Sequence, residues 1–566
     1  MRNRRFYWTG MACALILGVS FCTRLDGKQW HVSQKKLTGI KQEKQVRTIS
    51  KAASLVEPGD TVIIHSGIYR EKVDIEKSGL AEEPIRLQAA VGANVLMTGA
   101  DRISNWAKVR GEGRIYSTLW PHKFVTWNRQ HAHPADDYHR LIGRCEQVFV
   151  NGYALRQVLE RDKLTRGSFY VDLDDDRLYI WNRDNQDIKA NRATVEASVR
   201  GRILTVKGNH VTIRGIRFRY AANRAQQGAV EFSGNHLTVE NCTFEYANAS
   251  GAAFRGEDIT VRGCTFQNNG QLGFGASRAH RLRMTGCTVR NNNIKGFNRG
   301  WEAGGNKICL SRGVLLENST FVENRGNGIW FDIGNEDCTV HNCLIAFNED
   351  AGIFYEISYG LHAHDNVIVG NGFASTPGAW GASAGISISS SSNCLIERNL
   401  LIGNKEGFNF REQTRSTPRI DGHESELIWN HDHTIRNNVI AYNRDAQTWG
   451  WFDIADNRHW PAKDGKAEPG GLTLEKLALG LRDNLYSTGP GQGLFNWGVT
   501  WQEHKKYRQL DEVRDALNLE QESRSAEFTF KDFSGLDLRV PADSPALTMR
   551  CYPQGEVSGV RLGTLE

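Results

Sequence analysis

A short phrase that returns about every 23 residues constrains this chain more than any other feature of its sequence. Each copy joins two runs of alternating apolar residues through a polar pair, as in LTVENCTFEY at 237–246. A unit this short cannot bury its apolar face alone and must stack on its neighbours, so the repeat predicts a solenoid. The residues that follow the polar pair lie 26, 22, 23, 32, 24, 23, 33 and 39 positions apart: Ile216, Cys242, Cys264, Cys287, Ser319, Cys343, Asn366, Asn399 and Asn438.

An asparagine recurs five positions after most of these residues, which indicates a fixed corner in every coil. Its amide can bond to the same amide one strand spacing away, so we expect a hydrogen-bonded ladder along this corner. Short alternating strands with such a corner predict an all-β parallel solenoid, and the Leu/Asn consensus of leucine-rich repeats is absent. The recurrent asparagines are Asn269, Asn292, Asn324, Asn348, Asn371, Asn404 and Asn443.

The repeat also divides the chain into segments. Its longer intervals predict loop insertions, which on a solenoid tend to fall on one face, often the binding face. Residues 101–198 break the period and carry hairpin signals such as Asn151-Gly152, which predict an inserted antiparallel β-domain. The other segments are interpreted as a signal peptide or anchor at 1–25, a cap with the first coil at 45–100, the solenoid core at 199–445, and C-terminal coils with a closure at 446–566, with insertions at about 293–305, 373–383 and 412–432.

The N-terminus has the pattern of an export signal. MRNRR precedes a 16-residue apolar run, which predicts a periplasmic, secreted or envelope-anchored protein. Cys22 follows the run and leaves lipid attachment open, although Phe21 stands where such sites have a small residue, and an uncleaved anchor is also open. Residues 1–51 carry a net charge of +9, whereas the whole chain carries +6, so residues 52–566 sum to −3. Because the body has no basic stripe with interleaved aromatics, no nucleic-acid partner is expected.

The eleven cysteines do not suggest a disulfide framework. Cys242, Cys264 and Cys287 follow the repeat itself. We therefore expect free thiols stacked inside the solenoid.

Two neighbouring coils contain nearly the same apolar hexapeptide, each with one carboxylate. GIWFDI at 328–333 contains Asp332, and GIFYEI at 352–357 contains Glu356. Strand alternation sends Ile329 and Phe331 inward, so Trp330 and Asp332 point outward, as do Phe354 and Glu356. One coil earlier, Lys307 also points outward if Ile308 is in the core. The expected outer face is a column of Lys307, Asp332 and Glu356 beside a column of Trp330 and Phe354.

Stacked carboxylates at this spacing suit one kind of chemistry. Neighbouring coils are roughly 4.8 Å apart. Retaining glycosidases need roughly 5–5.5 Å between nucleophile and acid/base, and inverting enzymes roughly 6.5–9.5 Å. Mutual repulsion would raise one pKa and leave the other group ionised, and outward aromatic rings could bind the apolar faces of sugars. Solvated acids on a strand face are the simpler alternative.

Further residues near the pair are candidates for binding substrate, each with a structural alternative. Glu302 and Trp301, in a Gly-rich insertion, could bind sugar hydroxyls or supply a third acid, or could be exposed loop residues. Lys307 could hold a hydroxyl, lower the pKa of Asp332, or form a simple salt bridge. The other candidates are Tyr359 and Trp380 as subsite walls, with Trp380 alternatively a cap, and Glu336 at the cleft rim, where turn chemistry is the alternative.

The sequence indicates no cofactor and no metal. A phosphate loop, a dinucleotide fingerprint, a zinc pattern and a serine-nucleophile elbow are all absent. HDH at 431–433 has no third ligand at a recognisable spacing.

Over most of residues 45–566 the chain resembles bacterial right-handed parallel β-helix carbohydrate-active enzymes. Within that group it is most similar to glycoside hydrolase family 120, whose members are β-xylosidases, and family 141 is a neighbour. The resemblance lies in the β-helix interrupted by an antiparallel β-domain and in the acids of WFDIGNED and FYEIS. It implies a right-handed parallel β-helix and a retaining mechanism with Asp332 as nucleophile and Glu356 as acid/base.

Three functions remain to be distinguished. The first is a retaining glycosidase acting on oligo- or polysaccharides from plants or algae. The second is a polysaccharide lyase, since EPGDTVIIHSGIYRE resembles β-helix lyases and Lys307 could act as a base. The third is a non-catalytic carbohydrate-binding solenoid. The sugar, the anomer and the oligomeric state do not follow from the sequence.

Overall fold

The structure is a computed structural model that describes residues 27–124, 143–190, 192–375, 382–412, 415–422, 424–451, 474–498 and 504–565. The expected signal peptide or anchor lies outside these residues. Among them, no helix is long and apolar enough to cross a membrane.

Three long parallel sheets, here called A, B and C, run the length of the molecule. Each coil contributes one strand to sheet C, then one to A and one to B, and these strands pair in parallel with the equivalent strand of the next coil. The last strand of sheet C, Lys505–Tyr507, instead pairs antiparallel with Phe495–Gly498. In register, Thr238 of one coil pairs with Thr260 of the next, which pairs in turn with Arg283. The prediction of an all-β right-handed parallel β-helix is confirmed.

The strands of the three sheets are short because the chain turns a corner every few residues. In sheet A they are Gln29–Val32, Gln45–Val46, Thr61–Ile64, Ile85–Ala89, Val211–Arg214, Thr238–Glu240, Thr260–Arg262, Arg283–Thr285, Leu315–Glu317, Glu336–His341, Tyr359–His364, Leu395–Glu397, Thr434–Arg436 and Gly480–Arg482. In sheet B they are Gly67–Tyr69, Val95–Thr98, Ile216–Arg219, Thr243–Glu245, Thr265–Gln267, Thr288–Arg290, Thr320–Val322, Leu344–Ala346, Val367–Val369, Leu400–Ile402, Val439–Ala441, Leu485–Ser487 and Arg524–Ser525. In sheet C they are Val73–Ile75, Leu204–Val206, Gly228–Phe232, Ser250–Glu257, Leu272–His280, Gly304–Cys309, Ile329–Asp332, Ile353–Glu356, Ala384–Ser389, Glu406–Arg411, Ala446–Trp451, Phe495–Gly498 and Lys505–Tyr507.

The interior is a stack of apolar side chains, with the amide ladder at one corner. Asn324 Nδ2 donates to Asn348 Oδ1 and Asn348 Nδ2 to Asn371 Oδ1, both at 2.9 Å, and the series runs unbroken from Asn269 to Asn443. The predicted ladder is therefore present. The periodic cysteines are buried free thiols, as expected.

The first coil is covered by a short helix. Thr48 caps it by accepting a hydrogen bond from Lys51 N, and its buried residues Ile49 and Ala52 close the open end of the core. Within the described residues the α-helices are Ile49–Leu55, Leu474–Leu477, Leu510–Leu517 and Pro545–Thr548, and the 3-10 helices are Gln42–Lys44 and Arg161–Lys163.

Between the first coils the chain leaves the helix and forms two small sheets. Asn151 and Gly152 both have positive φ, the geometry of a type I′ turn, and they join the expected hairpin. Most strand pairs here are antiparallel. The exact boundaries of the five segments into which the sequence was divided stay predictions. The strands are Ala100–Arg102, Val148–Val150, Tyr153–Ala154 and Val195–Ser198 in one sheet, and Ala107–Lys108, Ile115–Leu119, Arg156–Val158, Ser168–Asp172 and Arg177–Trp181 in the other.

Two further pieces lie on the outside of the helix. Strands Arg415–Pro418 and Ser425–Ile428 pair antiparallel and form a hairpin, here called the insertion hairpin, within the insertion predicted at 412–432. The C-terminal segment packs Leu538 and Val540 on the outer face of sheet B. Sheet B is apolar on both faces at these coils, which explains why it is covered.

Candidate active site

The two hexapeptides lie side by side on the outer face of sheet C. Trp330 pairs with Phe354 and Phe331 with Tyr355, so the next positions, Asp332 and Glu356, are neighbours. Phe331 and Tyr355 point into the core, as alternation predicts. Neighbouring parallel strands hold the two carboxylate-bearing positions roughly 4.8 Å apart.

Glycine begins each hexapeptide because there is no room for a side chain. A Cβ on Gly328 would lie 2.6 Å from the amide nitrogen of Asn348 and 2.8 Å from the carbonyl oxygen of Gly352. The asparagine ladder and the strands of sheet C therefore fix one another's register. The register in turn fixes the relative positions of the two acids.

The expected column is wrong in one member. Cys309, not Lys307, pairs with Asp332, and Lys307 lies two positions earlier, beside Trp330. Alternation fixes the face of a strand but not the position along it, so Lys307 and Cys309 were equally compatible with the sequence. We call the observed stack the outer column: Cys309, Asp332, Glu356, Ser389 and Arg411.

Asp332 is buried and bound on one side only. Its Oδ2 lies 2.8 Å from Lys307 Nζ, whereas its Oδ1 is buried without a hydrogen-bond partner. Asp332 is 6% exposed. A buried carboxylate oxygen that has no partner among the described residues calls for one from elsewhere, such as water or a ligand.

Glu356 is held by an arginine from the insertion hairpin. Arg415 Nη1 donates to Glu356 Oε1 at 2.9 Å. Burial and then the neighbouring Asp332 raise the pKa of Glu356, Arg415 partly offsets them, and the result is about 7. Glu356 is therefore largely protonated at mildly acidic pH, and it can donate a proton there.

Lys307 binds two acids at once. Its Nζ lies 2.8 Å from Asp332 and 2.9 Å from Glu302, and 4.5 Å from the centre of the Trp330 ring. Burial lowers the pKa of Lys307, but Asp332 and Glu302 more than offset this, and the net direction is upward. Lys307 thus stays charged and forms an ion pair with Asp332.

The aromatic pair is not an exposed platform. Trp330 and Phe354 are in contact, with ring centres 5.5 Å apart, and pack with Ala351 and Ala382 outside the main core. Phe354 is 0% and Trp330 is 3% exposed. The expected sugar-binding surface is therefore largely covered, because Ala382, from the insertion predicted at 373–383, packs on it. The indole Nε1 of Trp330 has no hydrogen-bond partner among the described residues.

Glu336 and Tyr359 hold the insertion hairpin rather than line an open rim. Glu336 accepts hydrogen bonds from Arg419 Nε and Ile420 N, and Arg312 lies 2.7 Å from its other oxygen. Tyr359 donates through its hydroxyl to Thr417 O. These contacts fix the strand that begins with Arg415.

The chain turns sharply directly after each acid. Ile333 and Ile357 have φ of 58° and 39°, the left-handed region that β-branched residues rarely adopt. Both leave the expected inward direction and pack with Tyr359 and Ile428 under the insertion hairpin. Leu310 and Ser390, at the same position of the neighbouring coils, have φ of 49° and 43°, so this bend is a recurrent corner of the β-helix.

The structure does not show the two remaining candidates in contact with the pair within its described residues. Trp301 packs against Ala225, Phe297 and Ala303 within the first insertion. Trp380 lies outside the described residues. Of the predicted site residues, the structure brings Asp332, Glu356, Lys307 and Glu302 together.

A groove of about 550 Å³ runs along sheet C on the N-terminal side of the pair, and neither Asp332 nor Glu356 is among the residues that line it. Glu302, Lys307 and Cys309 line its end nearest Asp332, and Arg255 and Glu231 line its distant part. Burial raises the pKa of the Cys309 thiol to about 12, so Cys309 stays neutral and is not a competing nucleophile. The groove has room for a sugar beside Lys307, next to Asp332.

Sequence reasoning missed three residues of this surface. Arg415 comes from an insertion whose position no repeat could predict. Ser389 and Arg411 did have a signal, because GISISS at 385–390 and GFNFRE at 407–412 repeat the hexapeptide of the acids. Within the described residues no group of three His, Cys, Asp or Glu side chains could hold a metal.

Comparisons with known proteins identify the fold. A family model described as a right handed beta helix region matches residues 176–300 and 227–401. No curated protein sequence matches the chain. A structure described as the complex of XylC with xylose is 17% identical, with a TM-score of 0.64 over 83% of this chain and 86% of that chain.

Two more distant structures have lower scores. One described as a glycoside hydrolase is 13% identical, with a TM-score of 0.48 over 68% of this chain and 95% of that chain. The A-module of mannuronan C-5 epimerase AlgE6 from Azotobacter vinelandii is 11% identical, with a TM-score of 0.45 over 85% and 94%. At these identities, the likeness of XylC shows a shared fold.

Proposed function

We propose that this protein is a retaining glycoside hydrolase in which Asp332 is the nucleophile and Glu356 the acid/base. One observation carries the proposal: the two carboxylates are buried neighbours on adjacent strands, Asp332 is ion-paired with Lys307, and the pKa of Glu356 is raised to about 7. Retaining enzymes need this spacing and this division of roles.

The contacts support the assignment of roles. Lys307 binds one oxygen of Asp332 and leaves Oδ1 available for attack. Glu356, with a pKa of about 7, can be a proton donor near neutrality. The reverse assignment would require the lysine-bound carboxylate to be the acid, which its neighbour opposes.

The reaction then has two displacements. Asp332 Oδ1 attacks the anomeric carbon while Glu356 gives its proton to the glycosidic oxygen, and the bond between that carbon and oxygen breaks. Glu356, now ionised, takes a proton from water as the water oxygen attacks the same carbon and displaces Asp332. Two inversions leave the configuration unchanged.

For the substrate we propose a β-xylosidase-like action on plant or algal glycans, by an exported enzyme. The resemblance of the acid motifs to family 120 supports it. So does the shared fold with XylC, which is described in complex with xylose. Fold alone does not assign a sugar, so the sugar is left to experiment.

The lyase alternative loses its expected base. Lys307 is bound between two carboxylates that hold its pKa upward, so it cannot readily accept a proton from a uronate. A binding solenoid without activity gives no reason to bury an acid pair at this spacing. The glycosidase is therefore the function that the geometry supports best.

The test is hydrolysis of a panel of aryl glycosides, including β-xyloside, α-arabinofuranoside and α-fucoside, with the first-formed anomer read by proton NMR. We expect retention of configuration and a loss of more than ~10⁴-fold in kcat for Asp332→Ala. Azide should rescue Asp332→Ala to the inverted glycosyl azide and Glu356→Ala to the retained one, which separates the two roles.

Glu397→Gln is a matched control, because Glu397 is also buried and ion-paired but lies on sheet A. It should leave the rates within about twofold. Turnover that is indifferent to both active-site substitutions would rule the assignment out. No turnover of any glycoside, with an ultraviolet-absorbing product from polyuronates, would establish the lyase instead.

A further inference from the structure

The outer column continues past the acid pair with polar residues that no step of the proposed reaction uses. Glu356 pairs with Ser389, and Ser389 pairs with Arg411, on the same outer face. Their inward neighbours Ile388 and Phe410 belong to the core. Ser389 and Arg411 thus stand one and two coils beyond Glu356.

Ser389 is a buried hydroxyl with nothing to bond. It is 0% exposed, and its Oγ has no hydrogen-bond partner. Two nearby serines on the same strand and corner do have partners: Ser387 Oγ accepts from Ala384 N, and Ser391 Oγ donates to Ser389 O. A buried polar group without a partner destabilises the protein, so its presence calls for an explanation.

Arg411 is in a similar position. It is 4% exposed, and its Nη2 lies 3.0 Å from Glu406, but its Nη1 is buried without a partner. Its guanidinium lies 3.8 Å from the centre of the Trp451 ring. One side of the guanidinium is therefore fixed, while Nη1, a donor, has no acceptor among the described residues and can donate to a ligand.

The direction of proton transfer in the proposed reaction indicates which part of the substrate lies beside Ser389 and Arg411. An acid/base gives its proton to the leaving oxygen, so the leaving group is on the Glu356 side of the cleaved bond. The groove over Lys307 and Glu302 is on the Asp332 side and takes the sugar that is attacked. Ser389 and Arg411 are on the opposite side, next to Glu356.

We propose that Ser389 and Arg411 form a leaving-group subsite that binds a neutral sugar through its hydroxyl oxygens. The inference rests on the proposed hydrolase function. Because Glu406 balances the charge of Arg411, the subsite has no net charge and fits a neutral pyranose better than a uronate. A hydroxyl and a guanidinium N–H together match two hydroxyls of one sugar ring.

The consequence is a preference for oligosaccharides over glycosides with small leaving groups. The probes are 4-nitrophenyl β-xyloside and xylobiose, or the aryl glycoside and β-linked disaccharide of whichever sugar the panel selects. The measured quantity is the ratio of kcat/KM for the disaccharide to that for the aryl glycoside.

Ser389→Ala should lower this ratio about tenfold, as expected for one lost hydrogen bond to a bound sugar. Its melting temperature should stay equal or rise, because the hydroxyl has no partner to lose in the free protein. Arg411→Lys should lower the ratio in the same direction, since lysine keeps the charge but not the fork of donors. Ser387→Ala is the matched control and should leave both rates unchanged.

A ratio that stays at the wild-type value in Ser389→Ala and Arg411→Lys would overturn the subsite, and so would an equal loss on both substrates. A preference for a uronate-bearing leaving group would overturn the neutral-sugar assignment. Since Arg411→Lys could disturb the buried pair with Glu406, calorimetric binding of xylobiose to Asp332→Asn with and without Ser389→Ala gives a second measurement, where equal affinity would also overturn it. If wild type hydrolyses no glycoside, the proposed function itself fails, which is a different result from an unchanged ratio.

Discussion

Two columns of polar side chains run along this β-helix at the same spacing, and they differ in how fully they are bonded. In the asparagine ladder, Asn348 donates to Asn371 and to Phe321 O and accepts from Asn324. In the outer column, Asp332 and Ser389 each keep a buried oxygen without a partner. The ladder repeats one residue type, whereas the outer column changes residue at every coil.

The difference separates structure from chemistry. A buried amide that satisfies its neighbours contributes to stability, and repetition makes every member satisfy the next. A buried group left unbonded costs stability, and it persists where a ligand or a transition state supplies the missing bond. Two columns in the same helix thus indicate which residues build the scaffold and which serve function.

Substituting the ladder should give the largest effect on stability. Asn348→Ala removes its bonds to three residues and leaves Phe321 O buried without a donor. We expect a loss of about 2–4 kcal/mol in the free energy of unfolding, measured by chemical denaturation where unfolding is reversible. The folded variant should keep kcat/KM within about twofold, and an unchanged stability would break the distinction between the columns.

The outer column should respond in activity and in pH dependence. Glu356 must be protonated to act as the acid, so kcat/KM should fall as the pH rises above about 7. Arg415 lowers the pKa of Glu356, so Arg415→Leu should move this alkaline limb upward by roughly one to two pH units. The pH profile of kcat/KM for an aryl glycoside measures the shift.

Arg325→Leu serves as a control, since Arg325 is an arginine on a neighbouring coil whose side chain lines a different cavity. The alkaline limb of the kcat/KM profile of Arg325→Leu should coincide with that of wild type. A limb that moves downward in Arg415→Leu would contradict the role of Arg415.

The smallest effect should come from the support of the insertion hairpin. Glu336→Gln weakens the bonds to Arg419 and Arg312, while Tyr359 still holds Thr417. We expect a drop of a few-fold in kcat/KM and faster tryptic cleavage after Arg419, because the hairpin opens locally more often. Glu317→Gln, which weakens a partly exposed pair with His341, should change neither kcat/KM nor the rate of tryptic cleavage. Unchanged cleavage in Glu336→Gln would mean that other contacts hold the hairpin.

Much of the scaffold could be predicted because a solenoid repeats its physics along the sequence. The period gave the coils, the recurrent asparagine gave the ladder, and the two hexapeptides gave adjacent acids on one face. The predicted column places Lys307 beside Asp332, where the structure has Cys309, because a shift of two residues leaves the alternation of a strand unchanged. The same hexapeptide pattern also predicts the positions of Ser389 and Arg411, but the prediction of the site relied on carboxylates and neither residue has one.

The sequence by itself determined the parallel coils and the stacking of Asp332 beside Glu356, since both follow from local periodicity. Only the tertiary structure decided that Arg415, 59 positions from Glu356, binds it, and that Trp330 and Phe354 are covered rather than exposed. The physical reason is that an insertion has no period. Where it docks depends on contacts such as Glu336 with Arg419, which arise only after the coils that carry them have formed.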